Sequence, residues 1–322
     1  MTGRRSFIAG VVCAAASVRV SGQSTAAIRI GWICYTMPGP AIDAFEEGMR
    51  ALGRTGRNAV SIEVRVVENK PERLKAAIDE LIGLGVALIV TQAAIGPAAH
   101  RVVAGRTPLV FAFSGDPVVA GMAESFARPG GNTTGMSFMA LELVGKRLEV
   151  MKEIAPSVRR VAILANPQHP GEKAEAAASL EAAGRMGVQT VYVTILPGEA
   201  PEAAFDRIRR ERVDGIVVFQ DAGMVARAGR IAAFALKERL LAVSGWAQFA
   251  EAGFLATYGP NLRESYRRLA SYVDRILKGA RADSLPVELP SRVELAVNLR
   301  TAKALGVVVP ESVLRRADEV IQ

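Results

Sequence analysis

Cysteine is nearly absent from this chain: Cys13 and Cys34 are the only two in 322 residues. Cys13 falls in a stretch read below as a removed leader. Cys34 then stands alone in the mature chain, which excludes an internal disulfide and a thiolate metal cluster. It reads as a small buried hydrophobe at a strand exit. Histidine is as scarce, with His100 and His169 on separate segments. A histidine-rich metal site is therefore excluded, and a Ser-His-acid triad would have to use one of these two.

Other absences remove whole classes of chemistry. No Gly-x-Gly-x-x-Gly follows the first strand, where "WICYTMPGPA" stands, and no Gly-x-x-x-x-Gly-Lys-Ser/Thr occurs, so the glycine-rich phosphate cradles are missing. There is no Gly-x-Ser-x-Gly elbow; "AVSGW" is a weak echo of one. No two acids fall at a spacing that enforces shared-proton chemistry. No catalytic residue, cofactor or metal is expected. No apolar run after the N-terminus approaches the ~20 residues needed to span a bilayer. The formal charge is +8, but without a Lys/Arg block or interleaved aromatics a nucleic-acid partner is not expected.

What is present begins with a leader. Three of the 40 basic residues, and none of the 32 acidic ones, lie in residues 1–26. A basic start, an apolar stretch from Phe7 to Val18 and small residues at Ser21, Gly22 and Ala26 read as an export signal. Arg4-Arg5-Ser6-Phe7-Ile8 is similar to the twin-arginine pattern, with Gly3 where Ser or Thr is usual. A periplasmic location is expected.

From residue 28 onward, Val/Ile-rich runs such as "AIRIGWICY", "VSIEVRVVE" and "VALIVTQ" alternate with amphipathic stretches such as "PERLKAAIDELIGLG". The same plan repeats from "VRRVAILANP" to "LLAVSGW". Near-continuous apolar strands spaced by helices predict an α/β protein of two doubly wound parallel-sheet lobes. In such sheets ligands sit outside the carboxyl ends of the strands. That selects Cys34, Tyr35, Thr91, Gln92, Ser114 and Asp116 from the first half. From the second come Asn166, His169, Gln220, Asp221 and Trp246, with Tyr258 as a further aromatic. Polar strand exits also arise wherever loops meet water, so each residue singly has a bland reading beside the functional one.

The most informative stretch is 111–138, "FAFSGDPVVAGMAESFARPGGNTTGMSF". Its Phe113, Asp116-Pro117-Val118, Gly121, Ser125, Pro129-Gly130-Gly131-Asn132, Thr134-Gly135 and Ser137 resemble a pattern of the ABC-transporter substrate-binding proteins with a type I periplasmic-binding fold, the family of tryptophan- and tyrosine-type binders. The resemblance continues in "GKRLEVMKEIAPSVRRVAILANP", "GFLATYGPN", "YRRLASYVDRILKGA" and "LPVELPSRVELAVNLRTAKALGVVVPESVLRRADEVI", nearly the whole mature chain.

The resemblance implies a three-strand hinge, with crossings at "GNTTGMSF", near "FLATYGP" and near "LPVELPS". It divides the chain into 1–26 as signal, 27–136 plus 259–284 as the first lobe, and 137–258 plus 285–322 as the second. Gly130 and Gly131 suit a turn at positive φ, and Asn132 suits the same turn. Asp116 has two readings: its carboxylate receives a ligand ammonium or hydroxyl, or it caps the segment starting at Pro117. The first loop departs from amino-acid binders of the family, which often carry a His-Pro-Ala-Leu-Asp-like segment where this chain has "YTMPGPAID". The expected ligand is thus a small organic solute, an amino acid or a similar polar molecule. The expected partner is an ABC permease in the inner membrane, reached by a monomeric shuttle. A periplasmic sensing module and an enzyme on the same frame are the competing classes.

Overall fold

The computed structural model describes residues 27–35, 39–68, 70–138 and 141–322. The leader, Cys13 and part of the first loop lie outside the described residues. The first half builds β1 (Ile28–Cys34), α1 (Pro40–Ala51), β2 (Val60–Val66), α2 (Pro71–Gly83), β3 (Ile89–Gln92), α3 (Gly96–Val103), β4 (Leu109–Phe113) and β5 (Thr133–Ser137). Its sheet has the order β2-β1-β3-β4-β5, all parallel. Strands β4 and β5 are buried at every position, as expected for strands covered on both faces.

The second half builds α4 (Val144–Ile154), β6 (Arg160–Ala165), α5 (Glu172–Arg185), β7 (Gln189–Thr194), α6 (Glu202–Glu211), β8 (Gly215–Val218), α7 (Ala222–Lys237), β9 (Leu241–Ser244), α8 (Ala247–Glu251) and β10 (Ala256–Pro260). Then come α9 (Leu262–Leu277), β11 (Val293–Asn298), α10 (Leu299–Leu305), α11 (Glu311–Leu314) and β12 (Glu319–Ile321). The second sheet has the order β12-β11-β10-β9-β8-β6-β7, in which only β10 and β11 pair antiparallel. Both lobes reverse direction beside their first strand, between β1 and β3 and between β6 and β8. These switch points are where ligands bind such sheets.

The chain passes between the two sheets three times. It leaves β5 for α4. It leaves β10 for α9, which packs on α1 in the first lobe. The bare face of Gly48 permits that packing, since a methyl there would meet the Arg267 carbonyl oxygen at 2.4 Å. It then returns along 285–288, where Glu288 N–H donates to Gly135 O and Ser137 N–H donates to Glu288 O, before entering β11. Residues 285–288, assigned from the sequence to the second lobe, thus run beside a strand of the first. Two crossings are tied directly: Asn261 N–H donates to Arg292 O at 3.0 Å, and Asn261 Nδ2 donates to Glu294.

The turn before β5 uses three successive left-handed residues, Gly130 (φ 71°), Gly131 (φ 57°) and Asn132 (φ 54°). Glycine tolerates that region without a Cβ clash, and asparagine more readily than most residues. Gly135 answers a different need: a Cβ there would lie 2.0 Å from the Phe111 carbonyl oxygen, so β4 and β5 approach only because it has none.

Candidate functional site

The strand exits of the two lobes meet. Ser114, at the end of β4, and His169, in the loop after β6, are both buried, and Ser114 Oγ lies 2.7 Å from His169 Nε2. The imidazole also stacks on Phe113, with ring centres 6.2 Å apart. One residue on, Gly115 approaches so closely that a Cβ would lie 2.1 Å from the Pro170 carbonyl oxygen. A second meeting is electrostatic. Burial, then the Asp221 charge from the other lobe, raises the Tyr35 hydroxyl above the usual phenol range.

Ser114 and His169 stand at the distance of a nucleophile and its base. No carboxylate bonds the other imidazole nitrogen among the described residues, so the third group of a triad is not in place. The pair reads as a contact between lobes.

Each remaining candidate has a definite place. Cys34 is 1% exposed, with its thiol pushed up to about 11 by burial, which makes it an inert neutral group. Gln92 accepts from the Trp32 indole N–H at 3.2 Å. Thr91 is buried with an unpaired hydroxyl oxygen. Asp116 accepts from Val118 N–H at 2.7 Å and Val119 N–H at 3.1 Å, so its carboxylate does cap the turn that follows. Asn166 likewise turns its own loop, accepting from Gln168 N–H. Asp221 caps α7 through Met224 N–H at 2.8 Å. Tyr258 stands apart: its ring lines a cavity of about 320 Å³ with Lys146, Glu149, Leu295 and Arg316 on the α4 side of the sheet.

Sequence reasoning missed the most unusual group here. Arg147, on α4, is fully buried, donating from Nη1 to Glu175 Oε1 at 2.9 Å and from Nε to Tyr258 O at 3.2 Å. Gln220 donates to the same Glu175 oxygen at 3.4 Å. Beside them Glu172 bonds the Tyr192 hydroxyl. Glu172 and Glu175 sit in the first turn of α5, where the helix dipole favours their negative charge. A signal existed: Arg147 interrupts the apolar stripe Val144, Leu148, Met151, Ile154 at a core-facing position.

Residues 36–321 match the family model described as ABC transporter substrate binding protein. A curated relative, the tyrosine-binding protein of Clostridioides difficile (strain R20291), is 22% identical over 199 residues, 62% of this chain. The match spans 56% of that relative's length. A solved ABC domain from Streptococcus pneumonia in complex with L-Trp is 21% identical, covers 92% of this chain and all of its own, and superposes with a TM-score of 0.81. A ligand-free, open substrate-binding protein with adhesive properties from Clostridium difficile, also 21% identical, covers 91% of this chain and 99% of its own, with a TM-score of 0.70. The lobes and their connections are those of the type I periplasmic-binding fold. With its family model matched from the first loop to the last strand, this chain belongs to the ABC transporter substrate-binding proteins.

Proposed function

We propose that this protein is the solute-binding component of an ABC importer, enclosing a small polar organic solute between its lobes and passing it unaltered to a membrane permease. One observation carries the reading. The Ser114–His169 hydrogen bond and the Gly115–Pro170 approach join the strand exits of the two lobes. Such contacts exist only when the lobes are shut.

The mechanism follows from the topology. Both sheets direct their strand exits at the same gap, so a solute there touches both lobes only after closure. It therefore binds the closed form more tightly and shifts the equilibrium toward it. The three crossings act as the hinge, with Asn261 fastening the second to the third. The shuttle works as a monomer in the periplasm. The tyrosine-binding relative and the L-Trp complex make amino acids the first solutes to try.

Thermal-shift screening of the purified mature chain against amino acids, nucleosides and small organic acids tests the reading. At a hundredfold excess over its dissociation constant, a cleft ligand adds about 2.7 kcal/mol of stability. A clear rise in melting temperature is expected with at least one compound, and a flat response to the whole panel counts against the cleft.

A further inference from the structure

Buried polar atoms without a hydrogen-bond partner gather at the strand exits of the second lobe. Arg147 Nη2, Gln220 Oε1 and the Trp246 indole N–H are all unpaired, on residues 0%, 3% and 6% exposed. Buried polar groups in folded proteins are nearly always paired, and an orphan is destabilising. Three such atoms, on α4 and just after β8 and β9, are costly unless something else satisfies them. Two of the atoms share one place: a Cβ on Gly245 would lie 2.5 Å from Gln220 Oε1 and 2.7 Å from Arg147 Nη2. A donor and an acceptor thus stand side by side over the bare face of Gly245.

Resting on the cleft reading above, the geometry points to a solute whose buried end is neutral and carries a carbonyl beside an N–H, an amide or lactam, in preference to a carboxylate. The carbonyl oxygen accepts from Arg147 Nη2, and the N–H donates to Gln220 Oε1. Charge excludes the anion. Arg147 is already neutralised by Glu175, and Glu172 and Asp221 are buried at the same strand exits. An added carboxylate would compete with Glu175 for the one guanidinium, and a buried charge needs a partner that is not already taken. A neutral amide satisfies the donor and the acceptor and adds no charge.

The test is calorimetry and thermal shift on the mature protein with amide–acid pairs: nicotinamide and nicotinate, benzamide and benzoate, L-glutamine and L-glutamate. The amide member of at least one pair should bind about tenfold or more tighter than its acid. In Gln220→Met, whose folding is checked by its own melting curve, that ratio should fall to near one. Binding of acids in preference to amides, or an amide preference unchanged in Gln220→Met, overturns the assignment while leaving the solute cleft intact. No binding by any of the six compounds, with a response elsewhere in the wider screen, overturns the amide end alone. No response to anything overturns both.

Discussion

Gly115 and Pro170 belong to different lobes, yet a single methyl group on Gly115 would lie 2.1 Å from the Pro170 carbonyl oxygen. Real Cβ atoms essentially never approach backbone oxygen so closely, so this contact between the lobes requires glycine here. In the proposed cycle, lobes held apart carry no such requirement from Pro170. Gly115→Ala should therefore bind the cleft solute at least about tenfold more weakly, a loss of roughly 1.4 kcal/mol. Calorimetry checks it, and unchanged affinity would show that the two backbones do not meet in the bound state.

Ser114 and His169 supply the side-chain part of the same contact between lobes. A net hydrogen bond contributes about 0.5–1.5 kcal/mol, so Ser114→Ala should weaken solute binding by a few-fold to about tenfold. His169→Phe keeps a ring against Phe113 but loses the hydrogen bond, and should cost a similar amount. The double variant should be no worse than either single one, because both remove one interaction. Fully additive losses would mean that the two residues act separately.

Asp116 separates its two readings through a conservative change. As a cap, Asp116→Ala loses about 1 kcal/mol of stability, whereas Asp116→Asn loses little, because asparagine caps equally well. Urea unfolding of both variants measures this. If Asp116→Asn folds normally but binds solute tenfold more weakly, the carboxylate is held for the ligand as well.

Arg147 and Glu175 form a fully buried ion pair. Removing one partner strands the other charge, so Arg147→Met should destabilise the fold by about 3–5 kcal/mol. Arg147→Met with Glu175→Leu should recover part of that loss. Chemical denaturation decides it, and a stable single variant would mean that water reaches Glu175.

Cys34 gives a pH signature. Its thiol moves from an ordinary value of 9.0 to about 11 in the folded chain. The folded state therefore keeps its proton where the unfolded state loses it. Cys34's contribution to stability is complete below pH 9 and is lost as pH rises from 9 towards 11. The difference in stability between the wild type and Cys34→Ala should narrow across that window, as followed by urea denaturation at each pH.

The alternation of strands and helices was legible in the sequence because strands covered on both faces need continuous apolar runs, as in "LVFAF" of β4. The Gly130-Gly131-Asn132 turn was legible for a similar reason: few residues adopt positive φ. Ser114 and His169 were both selected as strand exits, but their pairing depends on how two lobes meet, which no local pattern encodes. Tyr258 illustrates the limit of strand-exit reasoning. Side chains alternate across a strand, so a residue at an exit can face a flanking helix, as this ring faces α4. Arg147 was hidden for the opposite reason. A charged residue on an amphipathic helix is read as solvated, and its burial depends on Glu175, 28 residues away.

Closure around a solute is tested most directly by small-angle X-ray scattering of the mature protein with and without the compound that most raises its melting temperature. The radius of gyration should fall on binding in the wild type and stay at its unliganded value in Gly115→Ala. An identical radius of gyration for free and bound wild-type protein, at saturating compound, would contradict a two-lobed clasp.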